Sequence, residues 1–465
     1  MMDWRTENAK TLASLLKINT EEAAELLQVT VLISFDESDA AATEIAGHLK
    51  RLLIRTVSVV QMNDCTIPPG AEIVIGAARP FLSTPVRVYV SRETIQIGMK
   101  VSGNHICPET PPVILLVTAC YAAGMALKAA LGSRLTVSGP SPTDELTIPI
   151  DTILGSDPKW LSIKCELADT YLAGAGAIGN GFLYALALLR VSGSLVIVDP
   201  DEVSDGNLNR CVWFTDDDVT RPKADRLCQV ATTYFPRLKL KPAVTTIQQL
   251  GARQSKNDWL KRLIVGVDSR RVRRRLQGEI PGEVFDASTT DVTEFVLHHH
   301  QQPTNDACLA CIYHETRDEL SFERHMAESL GVELNDAKQH YISMDAARRI
   351  HEQFPHVAVD RLVGEAYDSL FKALCSSVRL LATAEEKQTL APFAFVSVLA
   401  GTYLAIEVCR RLTLDSQNHT FNYWRLSPWA APVKALKQVR PRYEACEFCS
   451  QPVLRRTAQA LWGSR

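Results

Sequence analysis

The stretch YLAGAGAIGNGFLYALALLRVSGSLVIVDPDEVSDGNLNR, residues 171–210, decides the fold. Gly174, Gly176 and Gly179 stand in the spacing G-x-G-x-x-G, after a short apolar run and at the start of an apolar helical one. That context lets backbone approach a phosphate at a helix N-terminus. Asp199 follows 25 residues after Gly174, at the end of SLVIV, where a carboxylate can accept from ribose hydroxyls. Taken alone, these residues fit NAD, FAD or ATP.

The residues that come next discriminate. Asn207 and Arg210 stand in GNLNR, Lys223 in RPKADR, and Asp268 in LIVGVDSRRVR at the end of a later strand-like run. Ligands of a doubly wound sheet sit outside the carboxyl ends of its strands, so all four can reach one crevice. Two cations, an amide and a second carboxylate match hydride transfer poorly. They suit a triphosphate: Arg and Lys neutralise charge developing on phosphate oxygens, and Asp268 can hold Mg2+ bridging them.

The ordered run GAGAIG, VDPDEVSDGNLNR, RPKAD, VGVDS resembles the ThiF/MoeB and ubiquitin-activating-enzyme superfamily, over roughly residues 165–300 and 391–450. The resemblance implies ATP-dependent adenylation of the C-terminal carboxylate of a ubiquitin-like protein. It makes Asp199 the ribose binder, counts Asp201 among the nucleotide contacts, makes Asn207, Arg210 and Lys223 phosphate and transition-state contacts, and makes Asp268 the Mg2+ site. Arg273 resembles a family arginine near the same crevice. One departure stands out: the family often has Gln after the Arg, and here Cys211 takes that place. A neutral thiol in a packed loop is the expectation for it.

Around this core the chain of 465 residues has room for two substantial domains. Residues 1–155 hold short apolar runs such as VTVLISF and AEIVIGA between helix-like stretches and read as an N-terminal α/β domain, an inactive adenylation-like partner by the resemblance. Residues 156–312 and 391–465 alternate strand and helix patterns, as in a doubly wound parallel Rossmann-like sheet, and form the adenylation domain. APFAFVSVLAGTYLAIEVCRRL reads as a small-residue helix that packs tightly. Residues 313–390 read as a helical insertion.

The formal charge of −3 lacks the cationic excess of a nucleic-acid coat protein. No run of about twenty apolar residues is expected to cross a bilayer, and MMDWRTENAK is no signal peptide, so a cytoplasmic protein is expected. Twelve cysteines in such a chain read as reduced thiols.

Four of those cysteines form two C-x-x-C knuckles, Cys308 and Cys311 in ACLAC, Cys446 and Cys449 in ACEFC. Four thiolates close a tetrahedral structural Zn2+ site, and members of the superfamily carry the same paired knuckles. His298, His299 and His300 read as a strand end or loop, since four Cys already saturate the metal. In the ubiquitin-activating branch a cysteine between the first knuckle and the later small-residue helix accepts the activated tail as a thioester. Cys375, in FKALCSSVRL, has that order along the chain.

The expectation is an activating enzyme using ATP, Mg2+ and Zn2+, which takes a ubiquitin-like protein and hands it to a ubiquitin-conjugating-like enzyme. The architecture resembles the activating component of bacterial conjugation systems, some of which belong to antiphage defence. A sulfur-carrier-protein adenylyltransferase is the alternative with the same first step, and a catalytically inactive nucleotide-binding scaffold is the non-enzymatic one. An arginine completing the ATP site comes in the family from across a dimer interface, so a homodimer is one source for it, and the N-terminal domain another.

Overall fold

The computed structural model describes residues 5–251, 259–289, 292–315, 317–338, 342–363, 367, 370–371, 391–414 and 420–463. The chain divides into two compact units. The first comprises Met1–Val267, Pro281–Asp306 and Thr389–Pro441 and holds both sheets.

The first sheet has the order β2-β1-β3-β4-β5-β6, built from β1 (Thr30–Phe35), β2 (Val59–Met62), β3 (Ala71–Ile75), β4 (Val86–Val90), β5 (Thr94–Gly98) and β6 (Glu145–Pro149). The four strands β1 to β4 run parallel; β5 and β6 are joined antiparallel. β1 and β3 are buried almost throughout, the mark of strands covered on both faces, whereas β4 alternates buried and half-buried positions. After β1, the helix Ala40–Leu53 is capped by Asp39, whose carboxylate accepts from the Ala41 and Ala42 amides.

The apolar run PVILLVTACYAAGMALKAAL forms the helix Pro112–Leu131. Residues Pro112–Arg134 have a mean hydropathy of 1.8 over their most apolar window and are long enough to cross a bilayer. In the protein 89% of that window is buried, against Ala40–Leu53 and the helix Ala394–Thr413, so the segment serves as a core helix.

The second sheet runs β14-β13-β12-β11-β10-β7-β8-β9, from β7 (Cys165–Ala173), β8 (Val191–Val198), β9 (Leu238–Ala243), β10 (Arg262–Val265), β11 (Glu283–Thr289), β12 (Phe295–Gln301), β13 (Tyr423–Leu426) and β14 (Lys437–Gln438). The five strands β11, β10, β7, β8 and β9 are parallel, the Rossmann-like part. Beyond this parallel part, β12, β13 and β14 extend the sheet antiparallel. The three consecutive histidines lie in β12, buried, with His299 on the face opposite to His298 and His300 and its Nε2 3.2 Å from Glu283.

The small-residue helix packs as expected. A Cβ on Gly401 would fall on the backbone of Gly181 and Phe182, and one on Gly181 on that of Ser397 and Val398. Ala394–Thr413 and the helix after the glycine turn, Ala177–Leu186, therefore approach backbone to backbone, which fixes the turn against the sheet.

The second unit comprises Asp268–Ile280, Ala307–Gln388 and Arg442–Arg465. Its helices Arg317–Leu330, Met344–Gln353 and Val359–Leu362 bury Met326, Leu330, Ile350 and Leu362 together with Tyr367. Ser343 caps the second of these through the Ala346 amide. Arg271 reaches the Ala337 carbonyl and lies 3.6 Å from Glu323, tying the helix Arg270–Leu276 to the others.

Candidate functional site

The glycine turn lies between the carboxyl end of β7 and the helix Ala177–Leu186. Gly174 has φ +101°, and a Cβ there would meet the Gly266 carbonyl group and the Val267 amide at 3.0 Å, so both its conformation and its surroundings require glycine. A Cβ on Gly179 would strike the Gly174 carbonyl. Around Gly176 the space is open for 4 Å.

Asn180 supports the turn from beneath. Its Nδ2 donates to the Ala175 and Gly176 carbonyls at 2.8 and 3.0 Å, and its Oδ1 accepts from the Trp213 amide at 3.1 Å. The Trp213 indole donates back to the Asn180 carbonyl at 3.1 Å. This fully buried amide thereby fastens the turn to the segment following Arg210.

Asp199 stands one residue past β8. Its carboxylate accepts from the Ala175 amide at 2.6 Å and the Asp201 amide at 2.9 Å. Burial pushes its carboxyl up to about 6; the Lys223 ammonium opposes that rise and Asp201 adds to it. Lys223 begins the helix Lys223–Ala231, and its Nζ lies 3.0 Å from Asp201 Oδ2. Burial works against the Lys223 charge, yet Asp199 and Asp201 together hold the ammonium above the ordinary lysine range.

Among the described residues Arg210 is held through one nitrogen: Nη1 donates to the Gly206 carbonyl at 2.6 Å and to Asn209 Oδ1 at 2.7 Å. Asn207 caps its own turn, with Oδ1 accepting from the Ser204 amide at 3.0 Å. Cys211 is fully buried and its thiol is pushed up by burial, with Arg210 and Lys223 opposing and Asp199 adding. That is the neutral packed thiol expected at this position. The structure thus gathers Asp199, Asp201 and Lys223 at the glycine turn, and the Cys211 thiol feels Asp199, Lys223 and Arg210 together.

Asp268 stands three residues past β10 and opens the second unit. Arg273, in that same unit, is buried with its guanidinium 5.3 Å from the Tyr313 ring centroid, a cation–π contact. Cys375 lies outside the described residues.

The two knuckles of the second unit converge. Cys308, Cys311, Cys446 and Cys449 are all buried, and their sulfurs lie within 4.8 Å of one another. The recorded separations are 3.6 Å for Cys308 and Cys311, 3.8 Å for Cys308 and Cys446, 3.7 Å for Cys311 and Cys449, and 3.3 Å for Cys449 and Cys308. Zinc–sulfur bonds of about 2.3 Å in a tetrahedron require sulfur edges of about 3.8 Å, so the cluster fits such an ion. Amides of Tyr443 and Cys449 donate to the Cys311 and Cys446 sulfurs at 3.4 Å, the support a thiolate needs.

Asn180 and Asn209 are the residues that reading along the sequence missed. Asn180 directly follows the third glycine, and Asn209 is the second Asn of GNLNR, so each stood inside a motif whose other members drew the attention.

Parallel strands, a glycine turn at their carboxyl ends and a buried acid one residue past the next strand define a Rossmann-like α/β protein. Residues 164–448 match the ThiF family, and residues 1–142 match the E1 N-terminal domain. The chain belongs to the ThiF family. It is 25% identical over 308 residues to "Uncharacterized protein y4jF" of Sinorhizobium fredii, covering 63% of this chain and 58% of that one. Over 67 residues it is 39% identical to the NEDD8-activating enzyme E1 catalytic subunit of Saccharomyces cerevisiae, covering 14% of this chain and 22% of the yeast protein. A crystal structure of E. coli MccB with succinimide aligns over 71% of this chain and 74% of that one, at 14% identity and a TM-score of 0.37.

Proposed function

We propose that the protein is an ATP-dependent activating enzyme for a ubiquitin-like protein. The observation that carries the reading is the set of charged groups at the glycine turn: Lys223 between Asp199 and Asp201, with Arg210 keeping Nε and Nη2 clear of protein acceptors among the described residues. Asp199, ionised above about pH 6, accepts from the ribose, while Arg210 and Lys223 face the phosphates with Asn207. By the family resemblance Asp268 would be the residue to hold a Mg2+ ion, which would supply further neutralising charge. The matches to the ThiF family and the E1 N-terminal domain support the same reading.

In the first step the C-terminal carboxylate of the ubiquitin-like protein attacks the α-phosphorus. The bond to the bridging oxygen breaks and pyrophosphate leaves, giving an acyl-adenylate. In the second, the Cys375 thiolate attacks the acyl carbon and AMP leaves with the electron pair, giving a thioester for a conjugating enzyme to accept. The turn after β1 supports an inactive role for the N-terminal domain. There Asp36, Glu37 and Asp39 stand where a phosphate would have to approach, and Asp39 already occupies the first helical amides.

ATP–pyrophosphate exchange with a ubiquitin-like protein, followed by a non-reducing gel of wild type and Cys375→Ala, tests this. Exchange in both proteins, with a thiol-sensitive adduct in wild type alone, is the expected result. Exchange without any adduct points to sulfur-carrier adenylation instead, and no exchange with an authentic partner leaves a nucleotide-binding scaffold.

A further inference from the structure

Arg210 is held by a chain of amides that begins outside the adenylation motif. Its Nη1 donates to Asn209 Oδ1 at 2.7 Å; Asn209 Nδ2 donates to Asn8 Oδ1 at 2.9 Å; Asn8 Nδ2 donates to the Arg55 carbonyl at 2.6 Å. Asn8 belongs to the helix Arg5–Leu16, 201 residues away in sequence from Asn209. Both asparagines are buried, at 1% and 0% exposure, so neither can exchange its partner for water. Every bond in the series donates in the same direction, from the guanidinium toward the Arg55 carbonyl, and bonds so aligned polarise one another.

The direction also fixes both amide orientations. Asn209 must present oxygen to Arg210, because a guanidinium has no acceptor, and its nitrogen then needs an acceptor, which among the described residues the Asn8 oxygen supplies. Arg55 closes the arrangement from the other side, with Nη2 donating to the Val212 and Phe214 carbonyls at 3.4 and 3.2 Å. The segment from Asn209 to Phe214 is thus gripped at both ends by the N-terminal part of the chain.

We propose that Asn8 is a positioning residue for Arg210: through Asn209 it fixes the guanidinium so that Nε and Nη2 face the phosphates of the nucleotide. This rests on the reading of Arg210 as a phosphate contact. The energetic logic is that of a preorganised donor. An arginine held on one nitrogen enters the bound state without losing its side-chain freedom at that moment, whereas a released one must be ordered by the ligand. The N-terminal helix, which carries no phosphate ligand of its own in this proposal, thereby sets the phosphate affinity of the adenylation site.

Binding of Mg-ATP and of AMP to the full-length chain, by isothermal titration, separates positioning from general damage. Arg210→Ala is expected to weaken Mg-ATP about tenfold, the size of a lost charge-assisted hydrogen bond, and to leave AMP little changed. Asn8→Ala is expected to do the same, and the double variant to bind Mg-ATP no more weakly than Arg210→Ala alone. Asn209→Ala reads the same chain from its middle and serves if Asn8→Ala does not fold. Wild-type affinity for Mg-ATP in a folded Asn8→Ala overturns the proposal. So does an equal loss for Mg-ATP and AMP that persists in the Arg210→Ala background. If instead Arg210→Ala binds Mg-ATP as wild type does, the reading of Arg210 itself fails, a result distinct from either.

Discussion

Lys223 and Asp201 are joined twice: Nζ lies 3.0 Å from Oδ2, and the Lys223 amide donates to the Asp201 carbonyl at 2.8 Å. The backbone bond sets the start of the Lys223–Ala231 helix, so the ammonium is placed by secondary structure as well as by charge. Lys223→Met keeps the apolar stem and leaves Asp199 and Asp201 without their shared cation. Because the Asp201 side chain is 36% exposed, water screens part of the loss, and urea unfolding is expected to show about 1–3 kcal/mol less stability. Mg-ATP affinity should fall at least about tenfold by titration.

Asp199 carries a pH signature with two opposite readouts. Its carboxyl is raised in the fold to about 6, above the ordinary aspartate value. Between the ordinary value and about 6 the folded chain binds more protons than the unfolded one. The stability this group contributes is therefore present in acid and lost as pH rises through about 6. Nucleotide affinity is expected to move the other way, increasing through about 6 as the carboxylate ionises and can accept from ribose. Titrations of Mg-ATP from pH 5 to 7.5 should show that rise in wild type and a flat profile in Asp199→Asn.

Gly401 has no room for a side chain beside the Gly181 and Phe182 backbone. Gly401→Val must push the helix Ala394–Thr413 away from Ala177–Leu186. A cost of about 1–3 kcal/mol is expected, read as a lower Tm, together with weaker nucleotide binding, since the second helix begins at the glycine turn.

The cysteine cluster predicts one zinc ion per chain by elemental analysis. Cys308→Ser and Cys446→Ser should each reduce that content and lower hydrogen-exchange protection around residues 307–312 and 442–451, while Cys409→Ser, buried in the helix Ala394–Thr413, should leave the metal in place. Unchanged zinc in both knuckle variants would refute the assignment.

Much of this was readable from the chain because its signals are local. The glycine turn, the strand before it and Asp199 lie within a few tens of residues, and their meaning depends on spacing alone. The antiparallel extension was not readable, because β12 finds β13 only after more than a hundred intervening residues, and short apolar strands carry no mark of their partner's direction. Asn8 was invisible for a further reason: an asparagine on a largely polar helix looks like surface until its partner, Asn209, is known.

The cysteine cluster also sets a clock on synthesis. Cys311, the later of the first pair, leaves the ribosome 135 residues ahead of Cys446, an interval of roughly 7 to 27 s at ordinary elongation rates. Throughout that interval the nascent chain displays a half-built thiol pair, open to oxidation or to capture by a softer ion such as Cu(I). A supply of reductant during translation should therefore raise the fraction of correctly loaded protein, even though the finished cluster is buried.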